Sequence, residues 1–187
     1  MTDAEIINRV LSGNKQAFSL LVAAYQTKAL TLARSIVHDE HLAEDLVQDS
    51  FVKAFTSLAS FKGGSAFSTW FYRIVYTTGL NALQKSRRTP ISVELIEDDT
   101  PHWIEPYIFD QIDDHILNEI IREEMTNMSP TYSAVMDLFY GQECSYDQIV
   151  AITGMPLGTI KTRLNRGRAL LRNAIVRRCP ELEIPHV

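Results

Sequence analysis

The sequence predicts an all-α protein made of two small helical domains joined by a flexible acidic linker. Three observations carry that expectation. Apolar residues recur at helical spacing along most of the 187 residues, and no run alternates well enough to be a strand. One segment, ISVELIEDDTPHWIEPYIFD, carries Pro101 and Pro106, follows Pro90 and loses the periodicity. Near the C-terminus, SYDQIVAITGMPLGTIKTRLNRGRALL reads as a helix, a tight turn and a second helix with a basic outward face. The resulting division is a domain over 1–93, a linker over 94–113 and a domain over 114–187.

The elements follow in order. Ile6, Ile7, Val10 and Leu11 give a first helix over Asp3 to Ser12, ended by Gly13. A long helix runs from Lys15 to about Val37. A third, His41 to Leu58, places Ala43, Val47, Phe51, Ala54, Phe55 and Leu58 on its buried side and His41, Asp45, Gln48, Asp49 and Val52 on the other. The loop SFKGGS leads to a fourth helix from Phe67 to about Ser86. After the linker, helices resume near Asp114, and Ser129-Pro130 starts another that ends before Gly141.

The C-terminal pair is the most specific local signal. Ser145 with Gln148 makes a capping box, so a helix starts at Tyr146, and Gly154 is placed to stop it. Pro156 suits the first turn of the next helix, which runs from about Leu157. At 100° per residue, Ile160, Leu164, Gly167, Leu171 and Ile175 share the inward side; Gly158, Thr162, Asn165 and Arg166 lie opposite, flanked by Lys161 and Arg168. Short polar and guanidinium side chains on one helix face match base edges and phosphates in a major groove. An ordinary basic surface helix is the simpler alternative.

Charge distribution supports a nucleic-acid partner although the net charge is −5. Residues 1–93 sum to +3, 94–124 to −10 and 125–187 to +2, and between Gln148 and Pro180 there are seven basic residues and no acidic one. Two basic ends around an acidic middle suggest two DNA contacts joined by a segment that DNA repels. No uninterrupted apolar run of about 18 residues exists, and MTDAEIINRV lacks a secretion signal, so a cytoplasmic location is expected. Cys144 and Cys179 stand 35 apart with no metal-ligand spacing, and both are expected to be reduced bystanders. The usual signatures of NTPase, protease, hydrolase and dinucleotide chemistry are missing, and neither a metal nor a cofactor is expected.

Residues 61–88 interleave Phe61, Phe67, Trp70, Phe71, Tyr72 and Tyr76 with Lys62, Arg73, Lys85, Arg87 and Arg88. Aromatic faces can stack on unpaired bases while cations hold the backbone, which suits single-stranded nucleic acid. A helical domain of this size also needs aromatic core, and Phe67, Phe71 and Ile74 are assigned there by default.

With these residues in view, the chain resembles the extracytoplasmic-function (ECF, group 4) sigma factors of bacterial RNA polymerase. The resemblance runs over nearly the whole length, most strongly in AFSLLVAAYQTKAL, HLAEDLVQDSFVKAF, FKGGSAFSTWFYRI and SYDQIVAITGMPLGTIKTRLNRGRALLR. It implies sigma region 2 followed by sigma region 4. His41, Asp45, Gln48, Asp49 and Val52 would then dock on the β′ clamp helices of core polymerase, whose β subunit is a further partner. Phe61, Lys62, Ser65, Trp70, Arg73 and Thr77 would capture a flipped base and read the −10 element, with Lys85, Arg87 and Arg88 on phosphates. Lys161, Thr162, Asn165 and Arg166 would touch the −35 element, with Arg163 and Arg168 as backbone contacts. Many relatives carry Asn where this chain has Thr77, so −10 specificity does not transfer. An anti-sigma factor, often membrane-associated, is the regulator the resemblance implies.

Two other readings stay open on the residues alone. A stand-alone helix-turn-helix regulator would explain the C-terminal pair but has no use for the aromatic-basic block. An all-α hydrolase would use Glu44, Asp45 and Asp49 as metal ligands, without histidines at ligand spacing.

Overall fold

A computed structural model describes residues 1–86 and 114–180. The expected linker at 94–113, and with it Arg87 and Arg88, lies outside the described residues. Every regular element among the described residues is helical: α1 (Asp3–Leu11), α2 (Phe18–Val37), α3 (Glu40–Ser57), α4 (Phe67–Ser86), α5 (Asp114–Asn127), α6 (Pro130–Met136), α7 (Tyr146–Thr153) and α8 (Leu157–Arg178).

In the N-terminal module α2, α3 and α4 pack against one another, with α1 set against α2. A capping box of Thr2 and Glu5 starts α1. The second helix begins as a 3-10 turn, Lys15–Ala17, capped by the Asn14 side chain, and becomes α-helical at Phe18. His38 ends α2 in the left-handed region at φ 54°, and Asp39 caps α3 through Leu42 N at 2.8 Å, so α3 starts one residue earlier than the pattern indicates. Arg34 and Glu40 pair across that turn, with Nε donating at 2.7 Å.

Phe71 is fully buried, stacked on Phe51 at 4.5 Å and on Phe67 at 5.8 Å. Ala43, Val47, Phe51, Ala54 and Leu58 are buried as the spacing requires, joined by Leu46 and Ser50. Phe55 is only half-buried, edge-on to Phe18 at 5.1 Å, and Leu58 opens a 3-10 turn rather than ending the helix. Gly79 marks the closest approach, since a Cβ there would stand 2.8 Å from Ile36 Cγ2.

In the C-terminal module α6 lies on α8, and α5 covers the far end of α8 through a small cluster of Leu117, Ile120, Ala174, Ile175 and Cys179. The helix predicted to run from Pro130 to before Gly141 instead widens into a π-helical segment, Asp137–Gly141. Gln142 N donates to Asp137 O at 2.9 Å, the five-residue spacing of that geometry. The capping box at Ser145 and Gln148, the left-handed Gly154 at φ 73° and the start of α8 at Leu157 match the sequence reading.

The two modules share one hydrophobic core. Helices α2 and α4 of the first are packed by α6, the π segment and α7 of the second.

Candidate functional site

Three surfaces collect the residues singled out by sequence. The first is the outer face of α8. Ile160 and Leu164 are fully buried, Gly167 and Ile175 are buried and Leu171 is half-buried, so the opposite face is the one presented outward. Lys161 is exposed; Thr162, Asn165, Arg166 and Arg168 are partly so.

These side chains are held by aromatics from elsewhere in the module. Arg168 stacks on Phe139 and Tyr140 at 5.9 and 5.8 Å, donates from Nε to the Tyr140 hydroxyl at 2.6 Å and from Nη1 to Asn165 Oδ1 at 3.0 Å. Arg166 Nη1 donates to the Tyr132 hydroxyl at 3.1 Å, and Lys161 Nζ sits 5.9 Å over the Tyr146 ring. Sequence reasoning missed this aromatic support, because Tyr132, Phe139, Tyr140 and Tyr146 come from three separate segments and only the fold brings them to α8.

Arg163 departs from expectation. It is 8% exposed, donates to Met155 Sδ and lies 6.0 Å over the Tyr132 ring, so it is not placed to contact a DNA backbone. Its charge also reaches Tyr76 of α4, pulling back a phenol that burial pushes up. The signal was present in the spacing: Arg163 stands three residues after Ile160 and four before Gly167, on the inward stripe.

The second surface is the Phe61–Ala66 loop with α4. Of the six aromatics in the block, Phe67, Phe71, Tyr72 and Tyr76 are buried, which leaves the half-buried pair Phe61 and Trp70, 5.3 Å apart, as the stacking platform. Ile74 is half-buried against the same core. Lys62 and Ser65 are exposed on a loop whose turn needs Gly63 at φ 70°. Arg73, Thr77 and Lys85 are exposed along α4. Thr77 Oγ1 donates back to Arg73 O at 2.8 Å, and Arg73 Nη1 donates to Ala151 O of α7 at 3.3 Å.

The third surface is the outer side of α3. His41, Asp45, Gln48 and Asp49 are exposed around Val52, which is 62% exposed, and among the described residues neither Asp45 nor Asp49 forms an ion pair. An apolar spot ringed by unpaired carboxylates fits a partner surface that carries cations. Among the described residues no three His, Cys, Asp or Glu side chains gather to hold a metal, so Glu44, Asp45 and Asp49 do not form the centre a hydrolase would need. Nor is any described helix long and apolar enough to cross a membrane.

Comparison with known proteins gives the same two-part division. The model for sigma-70 region 2 matches residues 21–89, and that for sigma-70 region 4 matches 118–171. The ECF RNA polymerase sigma-E factor of Haemophilus influenzae is 32% identical over 94% of this chain and 96% of its own length. The RNA polymerase sigma-H factor of Pseudomonas aeruginosa is 31% identical over 92% and 93%. Among solved structures, CnrH in complex with the cytosolic domain of CnrY shares the fold at a TM-score of 0.66 and 23% identity, covering 94% of this chain and 97% of that one. Two helical modules matched in order, and relatives aligned over nearly their full lengths, establish that the chain belongs to the extracytoplasmic-function sigma factors of the sigma-70 family.

Proposed function

We propose that the chain binds core RNA polymerase through the α3 face and carries it to promoters, without a catalytic site of its own and within the cytoplasm. His41, Asp45, Gln48, Asp49 and Val52 dock on the β′ clamp helices, and the β subunit receives other parts of the chain. Lys161, Thr162, Asn165, Arg166 and Arg168 contact the −35 element. Phe61, Lys62, Ser65, Trp70, Arg73, Thr77 and Lys85 engage the melted −10 strand. Domain limits of 1–93 and 114–187 around the 94–113 linker belong to the same reading.

One observation carries most weight. The chain presents an outward face of α8 bearing amide, hydroxyl and guanidinium groups, and a separate acidic face on α3. The first suits base edges and phosphates, the second a basic protein surface. Opening the promoter needs no nucleotide hydrolysis if a flipped base is held by the Phe61/Trp70 pair, because stacking and edge contacts offset unstacking. An anti-sigma factor, membrane-associated in many cases, is the proposed regulator. The structure of the sigma factor RpoE with the anti-sigma factor NepR from Bartonella quintana, 24% identical at a TM-score of 0.62, supports that reading.

Run-off transcription with purified core polymerase on upstream fragments tests the proposal. New starts that appear only with the protein and share −35 and −10 boxes are expected. Asp49→Lys removes core binding, whereas Arg166→Ala lowers initiation only on promoters with an intact −35 box. Promoter-independent activity, with DNA binding in the absence of polymerase, would favour the stand-alone regulator instead.

A further inference from the structure

The two modules meet through an interface that the proposed function does not use. Ser133 of α6 is fully buried and donates from Oγ to Ser35 O of α2 at 2.5 Å. His38, at the end of α2, brings Nε2 to 3.0 Å from the same carbonyl and 3.2 Å from Ser133 Oγ. Gln142 Nε2, just past the π segment, donates to Lys28 O of α2 at 3.3 Å. Arg73 of α4 donates to Ala151 O in the last turn of α7, where helix carbonyls carry negative charge. Around these bonds lie Ala29, Leu32, Tyr72, Val75 and Tyr76 from one module and Val135, Leu138, Ile149 and Ile152 from the other, all buried in one core.

Distance makes this arrangement incompatible with promoter reading. Boxes about 25 base pairs apart span about 85 Å at roughly 3.4 Å per pair. Helices in contact lie about 10 Å apart, so with α7 on α4 the α8 face cannot reach −35 while α4 holds −10. Arg73 is meanwhile engaged by the first helix of the helix-turn-helix pair.

We infer that this interface is an intramolecular latch: in the free chain the C-terminal module docks on α2 and α4, engages Arg73 and holds the protein in a form that cannot read a promoter. The inference rests on the proposed −10 and −35 assignments for its consequence, while the docking itself does not depend on them. The interface buries large apolar side chains from both modules, which separated modules would leave in water.

The test uses the full chain and two variants. Ser133→Gln places a larger side chain where Ser133 has no exposure. His38→Gly removes the imidazole but keeps the left-handed cap at φ 54°, which glycine favours. Small-angle scattering of the wild type is expected to give a radius of gyration near the ~16 Å of a compact chain of this length. Both variants should scatter as larger particles, with helical content by circular dichroism unchanged. Their affinity for a duplex carrying the −35 box, by fluorescence anisotropy without polymerase, should rise about tenfold, as when the competent fraction climbs from about a tenth to near one. At saturating core polymerase, transcription should match the wild type. A wild type that already scatters as two separated modules overturns the latch, as do folded variants that stay compact and bind the −35 duplex no better. Failure of the sigma assignment would show instead as absent promoter-specific initiation, whatever the scattering gives.

Discussion

Asp137 is a carboxylate that the fold buries at a cost, and replacing it with asparagine should stabilise the protein. It sits at the start of the π segment, 6% exposed, with Gln142 Nε2 donating to Oδ2 at 3.1 Å. Tyr72 and Cys144 face it, and both are pushed up, mainly by burial and in part by its charge, the Cys144 thiol to about 11; Lys28 partly offsets the effect on Cys144. Burial raises Asp137 itself from 3.8 to about 6, against the opposing pull of the Gln142 bond. The folded chain therefore holds this proton more tightly than the unfolded chain. The resulting contribution to stability is fully present below pH 3.8 and is lost as pH rises through about 6. At about 1.4 kcal/mol for each tenfold change in proton affinity, ionised Asp137 costs about 3 kcal/mol at pH 7. An asparagine in its place would keep an acceptor for Gln142 and carry no charge. Asp137→Asn should therefore raise the melting temperature at pH 7.5 by at least ~3 °C, given roughly 2–4 °C per kcal/mol for a chain of this size. The gap between variant and wild type should shrink as pH falls towards 4. Thermal unfolding followed by circular dichroism at pH 4.5, 6 and 7.5 measures both. A variant no more stable at pH 7.5, or a gap independent of pH, would refute the reasoning.

Phe71→Ala removes the fully buried ring between Phe51 and Phe67 and should cost about 3–5 kcal/mol, seen as a shift in the urea midpoint without loss of a cooperative transition. Tyr140→Phe removes the hydroxyl that accepts from Arg168 Nε while leaving the stacking ring in place. Tyr140 is 53% exposed, so the melting temperature should hardly move, whereas discrimination between intact and scrambled −35 duplexes should fall in binding titrations. Equal discrimination in both proteins would show that Arg168 needs no orientation by Tyr140.

Much of the fold was legible because its signals are local. The Ser145/Gln148 capping box forms as its spacing demands, with Ser145 N donating to Gln148 Oε1 at 2.7 Å, and Gly154 takes the left-handed turn that ends α7. Phe67 and Phe71 fall in the core for the reason given by their positions on one helix face. What was not legible depends on residues far apart in sequence. Periodicity shows that Tyr72 and Tyr76 share a face of α4, but not that this face is covered by the other module. The π segment was hidden for a related reason: an ordinary helix and a widened one have nearly the same apolar pattern, and the choice rests on turning Asp137 inward while Phe139 and Tyr140 meet Arg168. Arg163 was misplaced because a cation was read as outward-facing against its own register.

The character of the module interface suits a latch that must open. Its cross-module bonds run from neutral or cationic side chains to backbone carbonyls, at Ser35, Lys28 and Ala151, and contributions of that kind are about 1 kcal/mol each. Asp137 lies beside Lys28 and Tyr72 of the opposite module, so part of its ionisation cost opposes docking at neutral pH. Closure is then a small difference between apolar burial and polar penalties, within range of a partner that prefers the open form. The α3 face bears on which partner that is. Its carboxylates and Val52 stay exposed in the docked arrangement, while Arg73 on α4 is engaged. On the assignments proposed above, polymerase can therefore meet the closed protein without waiting for it to open, whereas a promoter cannot. That asymmetry sets an order of assembly, polymerase first and DNA second, and it requires no regulator beyond the chain's own two modules.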